Sequence, residues 1–90
     1  MAWRINIDDK AKKELAGLDR AQAKRITTFL RERVAKLEDP RSIGEALKGS
    51  KLGDFWKYRV GYYRIIACIE DTALLILVVR IGNRKDVYLK

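Results

Sequence analysis

Residues 55–64 read FWKYRVGYYR, and the period of this stretch decides the fold. Five aromatic and three cationic side chains fall within ten positions. At a period of two, Trp56, Tyr58 and Val60 share one face of a strand, while Lys57 and Arg59 share the other. Gly61 suits a tight turn. Beyond it the alternation resumes, with Tyr63, Ile65, Ala67 and Ile69 on one face and Arg64, Ile66 and Cys68 on the opposite one. The pattern predicts a hairpin whose aromatic and aliphatic side packs inward and whose basic side does not.

Working outward, Glu70, Asp71 and Thr72 make a polar turn. Residues 74–81 are apolar at successive positions, as in a central strand covered on both faces. Gly82 and Asn83 signal a turn or bulge, and residues 86–89 a last short strand. Upstream, residues 41–53 read as a loop pinned by Leu47 and Leu52. Before that loop, Ala23, Ile26, Leu30, Val34 and Leu37 recur at helical spacing behind a capping Asp19. Asp39 and Pro40 end this helix, because the residue before proline avoids the helical region. Ala11, Leu15 and Leu18 mark a shorter helix, capped by Asp8 or Asp9 and running to about Gly17. Trp3, Ile5 and Ile7 alternate with polar residues as a short strand does. The predicted class is α+β, in one domain over residues 1–90: an N-terminal strand, a helical hairpin, then an antiparallel meander of three to four strands.

Composition narrows the function. The chain carries 20 Lys and Arg against 12 Asp and Glu, a net charge of +8. Residues 1–40 hold 10 basic and 7 acidic side chains; residues 41–90 hold 10 and 5. Such a balance fits a polyanion-binding protein. The N-terminus has no apolar stretch of the signal-peptide kind, and the longest apolar run, residues 73–79, is too short to span a bilayer. A cytoplasmic protein with no membrane association is expected. Cys68 is the sole cysteine and histidine is absent, so no Cys–His pair exists. Asp54, Glu70, Asp71 and Asp86 are scattered at turns without metal-ligand spacing, and residues 49–53, GSKLG, lack the spacing of a phosphate loop. Neither metal nor cofactor is expected.

The basic face is the candidate site. Lys57 and Arg59 align on it, Arg64 lies across the hairpin, and Arg84 and Tyr88 approach from the far end of the meander. Cations facing one another across strands are destabilising, and a bound polyanion relieves that repulsion. Tyr88 is suited to stack on a base.

Residues 46–88, from ALKGSKLGDFWKYRVGYYRI to IGNRKDVY, resemble the C-terminal half of RelE-type toxins of the RelE/ParE toxin–antitoxin superfamily. IDDKAKKEL at residues 7–15 resembles the helix opening of the same family. The resemblance implies a small basic endoribonuclease that enters the ribosomal A site and cuts mRNA by attack of a 2′-hydroxyl on the adjacent phosphate. It implies partners as well: the ribosome and mRNA, and a cognate RelB-like antitoxin that holds the toxin inactive in a hetero-oligomer. By motif position, Lys57 is a basic active-site residue and Arg59 stands where many members carry a lysine proposed as general base. Arg64 is implied to stabilise the pentacovalent phosphate. Arg84 is implied to assist the leaving group, and Tyr88 to orient the substrate base. Lys48, Lys51 and Lys85 flank them as RNA-binding candidates. An arginine keeps its proton at any physiological pH, so with Arg59 in the base position the role passes to Lys57 or to electrostatics alone. Two further departures are Asn83, where many relatives carry His, and Tyr62, where they carry Asp or Asn. A C-terminal helix seen in some members has no counterpart before Lys90. The same resemblance leaves two alternatives, a ParE-like inhibitor of DNA gyrase and a catalytically weak relic that only binds antitoxin. ParE-like relatives generally lack the pair that Arg84 and Tyr88 supply.

Overall fold

The computed structural model describes residues 3–47 and 55–83. The chain opens with β1 (Arg4–Ile7) and α1 (Asp9–Ala16), and then α2 (Arg20–Thr28). After a turn of 3-10 helix at Pro40–Ile43 come β2 (Glu45–Ala46), β3 (Phe55–Val60), β4 (Tyr63–Glu70) and β5 (Leu75–Asn83). The strands form one sheet in the order β1-β5-β4-β3-β2, with β1 parallel to β5 and the other pairs antiparallel. This is the expected α+β architecture. No helix among the described residues is long and apolar enough to cross a membrane.

Each helix starts where a carboxylate can serve its unpaired N–H groups. Asp8 accepts from the Asp9 N–H, and Asp19 accepts from Ala21 at 2.7 Å and Gln22 at 3.3 Å. The helices cover one face of the sheet. Ala11, Ile26, Leu30 and Val34 pack there against Tyr58, Val60, Ile65, Ala67, Ile69, Ile76, Val78 and Ile81. The alternation in β3 and β4 therefore reads as expected: Tyr58 is fully buried, and Trp56 and Tyr63 are half-buried against the same core.

Three details differ from the sequence expectation. The second helix does not run regularly to Pro40: Phe29–Arg33 form a π-turn, Val34–Lys36 a 3-10 turn, and Leu37 is already extended. The Val34 N–H reaches back to the Phe29 carbonyl as well as to Leu30, which inserts one residue into the spiral. The extra residue turns Ala35 into the core beside Val34, while Leu37 stays half-buried. The second difference lies in the segment read as a loop, where Glu45 and Ala46 pair with Lys57 and Trp56 as the edge strand β2. The third is at Gly82 and Asn83, which continue β5 instead of turning. The irregularity falls earlier, where Ile66 pairs with Arg80 but Ala67 pairs with Val78, leaving Val79 as the extra residue of a bulge. The strand expected at residues 86–89 lies outside the described residues.

The turn between β4 and β5 ends at Leu74, whose φ of +49° is left-handed and costs a β-carbon-bearing residue about 1 kcal/mol. Arg41 grips the same turn from the 3-10 segment, with Nη1 and Nη2 on the two Asp71 carboxylate oxygens at 3.0 and 2.7 Å.

Candidate functional site

The hairpin register fixes which cations meet. Arg59 pairs with Arg64, and Lys57 pairs with Ile66. On the next strand, Arg64 pairs with Gly82 and Ile66 with Arg80. Paired residues share a face, so Lys57, Arg59 and Arg64 stand together on the side away from the helices. Ile66, 2% exposed, is buried on this side and lies outside the helix-facing core. It gives the basic face an apolar floor between Lys57 and Arg80.

The face has one carboxylate that the pattern of residues did not announce. Glu45 Oε2 sits 3.1 Å from Lys57 Nζ, across the β2–β3 pairing. The hydrogen bond and charge of Lys57 hold the Glu45 carboxyl below the usual carboxylate range, and the charges of Arg59 and Arg64 push the same way. Glu45 is thus an ionised acceptor at neutral pH, set among three cations. Gly44 helps it sit there: a β-carbon at that position would lie 3.0 Å from the Tyr58 ring, and the ring or β2 would have to shift by a few tenths of an ångström to admit it. Tyr58 is itself fixed, its hydroxyl donating to the Pro40 carbonyl at 2.6 Å and its ring meeting Phe29 edge-on.

Two concavities flank Arg59. One, of about 240 Å3, opens toward the π-turn and is lined by Phe29, Arg33, Ile43, Glu45, Lys57 and Arg59. The other, of about 190 Å3, lies at the hairpin turn between Arg59, Gly61, Tyr62, Tyr63 and Arg64. Such a face can bind phosphate through its guanidinium forks and ammonium group, and it can accept a proton at Glu45.

Of the residues expected to form the site, Lys57, Arg59 and Arg64 are brought together. Lys48, Lys51, Arg84, Lys85 and Tyr88 lie outside the described residues. Glu45 was missed because its segment lacks any strand period; its one signal was being the sole acid in residues 41–53. Glu14 was missed as well. Its carboxylate accepts from Arg80 Nε at 3.2 Å and from the Ile81 N–H at 3.1 Å, where β1 has already ended and the rim of β5 would be bare.

Known proteins share the fold that carries this face. Residues 5–88 match the family model described as ParE toxin of type II toxin–antitoxin systems, parDE. Among solved structures, the RelBE2 toxin–antitoxin complex of Mycobacterium tuberculosis is similar at a TM-score of 0.83 and 20% identity, over 96% of this chain and 95% of that one. The archaeal RelE–RelB complex of Pyrococcus horikoshii is similar at 0.72 and 25%, over 97% and 100%. The intact RelBE complex of E. coli is similar at 0.74 and 24%, over 91% and 96%. No curated protein sequence matches the chain.

Proposed function

The chain belongs to the ParE toxin family of type II toxin–antitoxin systems, and from that premise we propose that it is a RelE-type endoribonuclease. In this reading it cuts mRNA in the ribosomal A site, in the cytoplasm, and is silenced by a cognate RelB-like antitoxin. The observation that carries it is the pairing of Arg59 with Arg64 beside the Lys57–Glu45 ion pair, a compact set of phosphate ligands with one ionised acceptor.

The reaction follows from that set. The 2′-hydroxyl oxygen attacks the adjacent phosphorus and gives up its proton, for which Glu45 is the acceptor on this face. Arg59 and Arg64 bind the non-bridging oxygens, where negative charge grows as phosphorus becomes five-coordinate. Lys57 orients Glu45 and adds positive charge, and so the base role passes from lysine to its carboxylate partner. The bond to the 5′-oxygen breaks, leaving a 2′,3′-cyclic phosphate and a 5′-hydroxyl. By motif position Arg84 neutralises or protonates that leaving oxygen, and Tyr88 stacks on the neighbouring base. Lys48, Lys51 and Lys85 contribute charge along the RNA. Every step uses the chain's own side chains.

An acidic antitoxin segment laid over the sheet and covering Arg64, Arg84 and Tyr88 would block this chemistry. The three structures compared above are toxins bound to antitoxins, which supports such a partner. A second reading, inhibition of DNA gyrase, is favoured by the ParE description of the family model.

Incubating the protein with programmed ribosomes and mapping mRNA ends separates the two. Breaks within the A-site codon are expected, lost in Arg64→Ala and Arg84→Ala variants that melt at the wild-type temperature. Intact mRNA together with inhibited DNA supercoiling would select gyrase. A binder of antitoxin that does neither would be a relic.

A further inference from the structure

The turn of the β3–β4 hairpin carries a side chain that neither the fold nor the proposed reaction uses. Tyr62 is 85% exposed. It adds nothing to the core, and the turn asks nothing of an aromatic there. Gly61, at φ +60°, supplies the left-handed position, while Tyr62 has an ordinary φ that any residue adopts.

Three arginines approach that turn, two beside the ring and one at the neighbouring glycine. Arg59 and Arg64 line the concavity of about 190 Å3 together with Gly61, Tyr62 and Tyr63. Arg25 reaches across from α2, so that a β-carbon on Gly61 would lie 3.1 Å from its Nη1. Among the described residues none of the three is in an ion pair with a carboxylate. Like charges converging on one turn repel unless a ligand supplies negative charge. A ring standing in solvent beside guanidinium forks suits a ligand that is both flat and anionic, with a base on the ring and phosphate on the forks.

We infer that Tyr62, with Arg59 and Arg64, forms a stacking subsite for a nucleotide of an RNA strand running past the scissile position. The inference rests on the endoribonuclease reading, because Arg59 and Arg64 serve both sites. RNA fits better than an acidic protein segment: the tip offers a ring standing in solvent beside cations, and its concavity of about 190 Å3 is too small for the row of side chains that a docked peptide buries. Messenger RNA and ribosomal RNA present the same chemistry, so the test must tell them apart.

Fluorescently labelled protein is titrated with two kinds of ribosome. One carries mRNA with a 2′-O-methylated A-site codon, which cannot be cut; the other carries mRNA ending at the P-site codon. Tyr62→Ala is expected to bind the first roughly 5- to 150-fold more weakly, the range for one lost stacked base. Tyr62→Trp is expected to restore binding, and both variants to melt as the wild type does. A loss confined to the first ribosome assigns the stacked base to mRNA, and an equal loss on both assigns it to ribosomal RNA. Unchanged binding by Tyr62→Ala, while Arg64→Ala weakens it, overturns the subsite alone. Wild-type protein that binds neither ribosome overturns both the subsite and the endoribonuclease reading. Loss of antitoxin binding by Tyr62→Ala with ribosome binding intact makes the tip a protein-docking surface and also overturns the inference.

Discussion

Tyr58 joins three parts of the molecule at one side chain. Its ring is 1% exposed under Phe29 and Gly44, and its hydroxyl donates to the Pro40 carbonyl. Tyr58→Phe strands that carbonyl and should cost about 1–3 kcal/mol in urea unfolding. Burial pushes the Tyr58 phenol up to about 12 from an ordinary value near 10. The unfolded chain therefore loses this proton first as pH rises. The stabilisation is complete below about pH 10 and declines as pH approaches 12, which thermal melts across that range will record. Glu45 has the opposite sign, its carboxyl lying below its ordinary value. Glu45→Gln keeps the shape and removes the acceptor, so cleavage on ribosomes should slow by about 10²–10⁴-fold with ribosome affinity little changed. At this scale the sequence was legible where alternation governs. Lys57, Arg59 and Arg64 face outward together because a strand permits nothing else. Glu45 was not legible, because two residues of edge strand leave no period to read.

Between elements, the contact of α1 with β5 is made by Glu14. β1 pairs with β5 only as far as Val78, and beyond that point the rim of β5 is served by a side chain instead of a strand. Glu14→Ala leaves the Ile81 N–H and the Arg80 guanidinium without this partner and should lower stability by about 1–3 kcal/mol, whereas Glu14→Gln, which keeps an oxygen for Ile81, should cost less. Urea unfolding of the pair distinguishes a hydrogen-bonding role from a purely ionic one. The second helix gives a related lesson. Its stripe through Ile26, Leu30 and Val34 fixed the buried face correctly, but the π-turn at Phe29–Arg33 could not be foreseen. It places Phe29 against Tyr58 and sets Arg33 on the cleft beside Lys57 and Arg59, a demand made by the sheet and not by the helix.

For the molecule as a whole, the net charge of +8 and the clustering of cations on the face opposite the helices make any RNA contact salt-dependent. Ribosome binding should weaken steeply with added KCl, with a log–log slope of about −0.7 for each single-strand phosphate engaged. Removing Arg64 should make that slope shallower by about one such increment, whereas Tyr62→Ala should weaken binding and leave the slope unchanged. By itself the sequence determined the two-layer α+β plan, the inward aromatics and the outward cations, because periodicity and capping are local and each residue's neighbours along the chain suffice to fix them. The tertiary structure alone decided the parallel seat of β1 beside β5, the bulge at Val79, the π-turn, and the arrival of Glu45 and Glu14 at their cations. Each of these depends on contacts between residues far apart in the chain, where close packing, and not pattern, selects the partner.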